Sequence, residues 1–196
     1  SRPDFALQIS GPLLQNIGRA MDRQWQTLSR RPFLRRSQKP TATQINAAIA
    51  GSTQAALALR DNLLNRGQIE AAYISAIAEA RNEITLAMAY FIPSRAILHA
   101  LFDAAARGVT VYLLLQGRIE YRLQHYASQS LYTRLLNAGI RIFEYEPGFM
   151  HAKVGVVDHQ WATVGSANLD PFSLLVAREA NVLVFDAAFC TKLEEK

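Results

Sequence analysis

The chain has 196 residues, of which 50% are hydrophobic and 19% charged, with a formal net charge of +5 and one cysteine, Cys190. That length and apolar content suffice to bury one substantial core and exclude a disordered chain. The lone cysteine excludes an internal disulfide framework and fits a reducing compartment, and the longest apolar stretch, around residues 84–92, falls far short of the ~20 residues of a spanning helix.

In chain order, the alternation of Phe5, Leu7 and Ile9 reads as a strand-like entry. Gly11-Pro12 then opens an apolar-periodic stretch that predicts a helix ending near Trp25. Charge is concentrated at this end. Residues 1–40 hold eight Lys/Arg against two Asp/Glu, while the remainder holds thirteen against fourteen. The stretch from Arg30 to Pro40 sets Arg30, Arg31, Arg35, Arg36 and Lys39 around Phe33 and Leu34. Its prolines predict a basic linker over residues 30–43, and its charge would attract an anionic lipid surface at about 1 kcal/mol per basic residue. The two roles are compatible, and nucleic acid would feel the same attraction.

Past Pro40 the pattern alternates. Residues 55–60 predict a strand and 67–81 a helix with Ile69, Tyr73, Ile77 and Ala80 on one face. Strand 83–91, helix 94–107, strand 109–115, helix 121–138 and strand 140–145 follow, with Gly108 and Gly139 placed as helix carboxyl-terminal caps. Strands 150–157, 160–165 and 179–185 complete a sheet. Repeated βα units imply an α/β layered fold with a central mixed, mostly parallel sheet flanked by helices. Tyr90, Gln116, Gly117, Tyr145 and His151 would then gather near one sheet edge, where such folds place ligands.

The string HAKVGVVDHQWATVGSAN carries the chemistry. His151, Lys153 and Asp158 stand as H-x-K-x4-D, and Gly165, Ser166 and Asn168 follow as G-S-x-N. On a strand, residues two apart share a face, so His151 and Lys153 would point the same way. A neutral imidazole can attack phosphorus to form a covalent intermediate, and another can protonate the leaving alkoxide. Lys153, Ser166 and Asn168 offer positive charge and hydrogen bonds to phosphate oxygens. No pair of histidines has metal-ligand spacing, so no metal or other cofactor is expected.

This string resembles the HKD signature of the phospholipase D superfamily. Further elements are similar to its cardiolipin synthase branch, in particular the bacterial type B form: Ala89-Tyr90-Phe91-Ile92-Pro93, Ala106-Arg107-Gly108, Asn137-Ala138-Gly139-Ile140, the run from Glu144 to His151, Ala167-Asn168-Leu169-Asp170-Pro171, and Glu179-Ala180-Asn181. The resemblance covers about Ile69 to Phe189. It implies catalytic roles within the motif for His151, Lys153, Asp158 and Glu179. His151 would act as general acid and then base, Asp158 would mainly hold its loop, and Glu179 would orient the histidine ring; a local ion pair with Arg178 is the plainer alternative for Glu179. Lys153, Ser166 and Asn168 would bind the substrate phosphate.

Members of the family need two motif copies, and no second H-x-K occurs here, since His99, His125 and His159 lack the lysine. The missing half would lie in the same longer chain or across a homodimer. The stretch from Asp4 to Pro12 resembles the segment that follows a first motif. The expected organisation is therefore a tail of a preceding half over 1–29, the linker over 30–43, and a second phospholipase D-like catalytic domain over 44–196.

The implied activity is transfer of a phosphatidyl group through a phosphohistidine, making cardiolipin from phosphatidylglycerol peripherally at the bacterial cytoplasmic membrane, on its cytoplasmic side. The rivals are a lipid hydrolase or nuclease of the same superfamily and an inactive membrane-binding module. The near-neutral charge of 41–196 argues against nucleic acid as a partner.

Overall fold

The computed structural model describes residues 3–29, 51–62 and 65–196, so the basic run at 30–43 lies outside the described residues. Two compact units result, one spanning Ser1–Ala6 with Thr53–Lys196, the other Leu7–Ser52.

In the smaller unit, helix α1 runs from Leu13 to Ser29, longer than the expected end at Trp25. Gly11 adopts φ 92° ahead of Pro12, a backbone that favours glycine. Phe5 to Ile9 do not form the expected strand. The period-two pattern is present there, but no ladder partner is among the described residues, and an unpaired strand has no ladder bonds to hold it.

The larger unit is built on a sheet of seven described strands: β1 (Gln54–Arg60), β2 (Glu83–Met88), β3 (Thr110–Gln116), β4 (Arg141–Tyr145), β5 (Lys153–Val157), β6 (Trp161–Gly165) and β7 (Glu179–Phe185). Their order is β1-β7-β6-β5-β2-β3-β4. Only the β2–β3 and β3–β4 pairs are parallel. The β1–β7, β7–β6, β6–β5 and β5–β2 pairs are antiparallel. The layered α/β architecture is as expected, but the parallel majority is not. Parallel neighbours need a long crossover, and helical crossovers join neighbouring strands only at β2–β3 and β3–β4. The three-residue Asp158-His159-Gln160 turn can join only antiparallel partners.

Helices α2 (Gln68–Glu79), α3 (Arg95–Ala106) and α5 (Tyr132–Asn137) cover one face with Tyr73, Ile77, Ile97, Leu101 and Leu135, packed on Leu86, Leu113, Val157 and Trp161. Tyr73 meets Trp161 edge to face, with centroids 5.7 Å apart. Helix α7 (Ala187–Glu194) covers the other face, where Cys190 packs on Val156 and Ala162. Burial pushes the Cys190 thiol up to about 11, which leaves it an inert packing residue.

The alternation of β5 and β6 across the two faces explains their burial on both sides. The expected helix over 121–138 is split into α4 (Arg122–Gln129) and α5. Ser130 Oγ donates to Ala127 O at 2.7 Å, and Leu131 N–H reaches Ser128 O at 3.0 Å. The first bond competes with the helical ladder and the second tightens it to a 3₁₀ turn.

Candidate active site

Strand direction gathers the chemistry at one edge. The amino-terminal end of β5 lies beside the carboxyl-terminal end of β2, with Lys153 opposite Met88. β6 runs back, so Gly165 ends at the same edge opposite Asn181, and Glu179 begins β7 there, opposite Arg60. The loops after β2 and β6 are joined by a bridge between Phe91 and Leu169, where Ile92 N–H donates to Leu169 O at 2.8 Å. The Tyr90-Phe91-Ile92-Pro93 element thus braces the Asn168 loop. The register also brings the ends of β2, β3 and β4, with Tyr90, Gln116 and Tyr145, to this edge.

His151 stands two residues before β5 rather than within it, as the expected strand 150–157 begins at Lys153. Its backbone N–H donates to Pro3 O at 2.9 Å, and its ring Nδ1 lies 2.9 Å from Asp4 Oδ2. A carboxylate on Nδ1 sets the neutral tautomer with the proton on that nitrogen, leaving Nε2 to act. Burial pushes the Asp4 carboxyl up, but bonds from His151 and the Phe5 N–H, with the charges of His151 and Lys153, hold it below the ordinary carboxylate range. Asp4 is the site residue that sequence reasoning missed. The only signal for it was its place in the segment resembling the stretch after a first motif.

Lys153 is buried, and its Nζ donates to His151 O at 2.9 Å, which keeps the ammonium beside the histidine. Asn168 is also buried, and its Oδ1 has no hydrogen-bond partner among the described residues. A buried orphan acceptor is costly, so this atom marks a place that something else completes.

Ser166 Oγ donates to the Glu179 carboxylate and accepts from Ala180 N–H at 3.1 Å. The expected Glu179 bond to the His151 ring is not formed. Ser166 holds Glu179 and Asp4 holds the ring. Burial raises the Glu179 carboxyl above its ordinary value, with bonds from Ser166 and Ser173 pulling the other way, Asp170 reinforcing the rise and Lys153 opposing it.

Asp158 is not with these residues. It lies at the far end of β5, roughly 15 Å from Lys153 at about 3.3 Å per residue. With His159 it has positive φ, 51° and 53°, in the β5–β6 turn. Its carboxylate accepts the N–H groups of Arg81, Asn82 and Glu83 at 2.8 Å each. Although burial acts to raise this carboxyl, those three donors and His159 hold it below the ordinary range. The catalytic grouping of Asp158 with His151 is therefore corrected. It clamps the loop entering β2, the loop-holding part expected of it.

At that same far end Glu83, His159 and Glu194 bring possible ligand atoms within 4.8 Å of one another, and His159 Nδ1 is 2.6 Å from Glu194 Oε2.

Support for the edge comes from residues with no chemistry of their own. Asn181 is fully buried, accepts from Ala167 N–H at 3.2 Å and donates to Thr163 Oγ1 at 3.0 Å. A Cβ on Gly165 would sit 2.2 Å from Asn181 Oδ1 and 2.5 Å from Ala180 O, so only glycine lets β6 approach β7 here. Asp170 caps α6 (Pro171–Leu175), accepting from Ser173 N–H at 2.8 Å with Pro171 at the first turn. The buried Arg60 guanidinium donates to the carbonyls of Leu174, Leu175 and Ala177, tying the end of that helix to β1.

An imidazole bonded to a carboxylate, a buried ammonium and a glycine-backed polar loop stand together at one sheet edge. The chain belongs to the family described as cardiolipin synthase, phospholipase D-like domain, which matches residues 73–196. It is 36% identical over 204 aligned residues to cardiolipin synthase B of Escherichia coli K12, an alignment covering 100% of this chain and 46% of that protein, so the chain spans about half the length of this relative. It is also 43% identical over 121 residues to cardiolipin synthase 2 of Bacillus anthracis, covering 62% of this chain and 24% of that one. Among solved structures, the fold is similar to Nuc from Salmonella typhimurium, a phospholipase D family member, with a TM-score of 0.63 and 22% identity over 74% of this chain and 91% of that one.

Proposed function

We propose that this chain supplies one half-site of a phosphatidyltransferase that joins two phosphatidylglycerols into cardiolipin and releases glycerol. The observation that carries the reading is the His151 ring held at Nδ1 by Asp4, with the Lys153 ammonium anchored beside it. Family membership and the cardiolipin synthase names of the relatives support the substrate class.

A histidine of the other half attacks phosphorus, and the bond from phosphorus to the glycerol oxygen breaks. His151, as imidazolium, gives its Nε2 proton to the departing alkoxide. The hydroxyl of a second phosphatidylglycerol then loses its proton to the now neutral Nε2. Its oxygen forms the new O–P bond, and the N–P bond of the phosphohistidine breaks. Asp4 holds the ring's orientation and tautomer through both steps. Lys153 and Asn168 bind the equatorial oxygens of the phosphoryl group, with Ser166 and Glu179 forming the wall beside them.

The other half is a further H-x-K-bearing unit, in the same full-length chain or in a partner copy. No helix among the described residues is long and apolar enough to cross a membrane. The proposed location is peripheral, at the inner face of the bacterial cytoplasmic membrane, with the basic run at 30–43 linking the halves and touching anionic lipid.

The test uses the full-length protein on phosphatidylglycerol vesicles, with products read by mass spectrometry. Cardiolipin and glycerol, both lost in His151→Ala, are expected. Phosphatidic acid alone would mean a hydrolase. Turnover unchanged in His151→Ala would remove the catalytic assignment, and no lipid product from the parent would favour a nuclease or an inactive module.

A further inference from the structure

Helix α4 is inside out. Gln124 and Ser128, four apart on one face, turn inward: Ser128 is buried, and so is the Oε1 atom of Gln124. Leu123 and Tyr126, three apart on another face, are 84% and 58% exposed. A surface helix normally does the reverse, with its apolar stripe toward the core. Large apolar side chains gathered on the outside mark a contact surface.

The apolar surface continues into the loop before the helix, where Ile119 and Tyr121 are exposed. Tyr121 sits edge to face with Tyr90, centroids 5.9 Å apart, which steadies its ring. Arg118 and Arg122 are exposed among these residues. The one acid of residues 118–126, Glu120, accepts from Tyr90 O–H at 2.7 Å. The stretch is therefore apolar and aromatic, with a positive balance.

It lies at the sheet edge that carries the motif. It follows the carboxyl-terminal end of β3, where Gly117 N–H donates to Tyr145 O at 3.2 Å and Arg118 Nε to Glu146 O at 2.7 Å. Those bonds tie it to the loop that runs into His151, in which Phe149 is exposed. On the other side of β5 in the sheet order, α6 follows the Asn168 loop and exposes Phe172, Leu175 and the adjoining Val176 at the same edge. Among the described residues of the larger unit, the remaining exposed large apolar side chains are Leu136, Phe143 and Phe185.

We infer that this edge is laid against the membrane, with residues 118–126 entering the head-group layer of an anionic bilayer and α6 as a second contact. The inference rests on the transferase reading above: a phosphatidyl donor holds its phosphate at head-group depth, and the edge with His151 has to come to it. Tyrosine and arginine beside aliphatic chains suit that layer. Their apolar stems and rings cover hydrocarbon while their polar ends reach water and lipid phosphate. The positive balance of the stretch complements phosphatidylglycerol.

The full-length protein is mixed with phosphatidylglycerol vesicles whose acyl chains carry bromine. Leu123→Trp should gain tryptophan emission that these chains quench, beyond any quenching of the parent. Phe185→Trp, at the opposite end of the sheet, should not. In a second arm, Leu123→Ser combined with Tyr126→Ser should lower cardiolipin formation from vesicles about tenfold or more, since less apolar surface leaves water on binding. Turnover of monomeric dihexanoyl phosphatidylglycerol, which offers no surface, should stay within about twofold of the parent.

Equal quenching in the two tryptophan variants, or none in either, overturns the lipid face. So does a vesicle rate that is unmoved, or one that falls together with the monomer rate. A changed molar mass of the double variant in light scattering would assign the surface to a protein partner and overturns it too. The transferase reading fails separately, if the parent makes no cardiolipin from either form of the lipid; the quenching pattern still decides which edge meets the bilayer.

Discussion

Asp4 lies 147 residues before His151 and yet supplies the carboxylate on its ring. Replacing it by Asn keeps the shape and removes the charge. Turnover of the full-length protein should fall about a hundredfold, within the usual range for acid–base assistance. Because Asp4 meets the ring and not the lipid, the loss in Asp4→Asn should fall on kcat, with KM for phosphatidylglycerol little changed. An unchanged kcat would mean that the segment only holds the His151 backbone. Glu179 acts on stability instead. Its folded-state value is raised, so its contribution to stability is complete below the unfolded value of about 4.3 and is lost as pH rises through the folded one. Glu179→Gln should abolish that particular fall in thermal midpoint just above pH 4.3, read by calorimetry across the window.

The β5–β6 hairpin separates two jobs that the motif writes as one string. Lys153 opens the strand at the reactive edge, and Asp158 closes it at the other end by accepting three backbone N–H groups. Asp158→Ala should cost about 1–2 kcal/mol, because charge-assisted bonds are lost from N–H groups that water can partly reach. Urea denaturation checks this. The sign with pH follows from the lowered carboxyl: the stabilisation is present above the unfolded value of about 3.9 and disappears as pH falls through the folded one. The parent and Asp158→Ala should therefore converge in acid. Gly165→Ala tests the opposite end of the same hairpin. A methyl there would meet the Ala180 carbonyl and Asn181, so the strand must shift, costing about 1–3 kcal/mol and disturbing the Ser166–Asn168 loop.

At the scale of the whole molecule, the described edge carries the His151 ring, the Lys153 ammonium and an unsatisfied Asn168 oxygen, and under the proposed function another half completes it. The charge asymmetry between residues 1–40 and the rest belongs to this scale too. Replacing Arg35 and Arg36 by Gln should weaken sedimentation of the full-length protein with phosphatidylglycerol vesicles by about thirtyfold, at about 1 kcal/mol per residue. Neutral vesicles should show no such difference. Equal loss on both would assign the run a purely linking role.

Read alone, the amino-acid sequence determined the family and nearly every strand and helix of the larger unit, and it singled out the His151–Lys153 pair and the Ser166–Asn168 loop on which the proposed function rests, because these are local matters of spacing, periodicity and turn chemistry. Gly108 and Gly139 marked helix ends by φ values that glycine tolerates, and they do adopt 89° and 82°. What only the tertiary structure decided was which strands are neighbours, and with it the mostly antiparallel sheet. It also decided that Asp4 rather than Glu179 meets the His151 ring, and that Asp158 faces away from the chemistry. Those outcomes depend on pairing between segments far apart in the chain. Local propensity cannot encode such pairing, because a residue's period and type state which face it lies on and not which partner that face will meet.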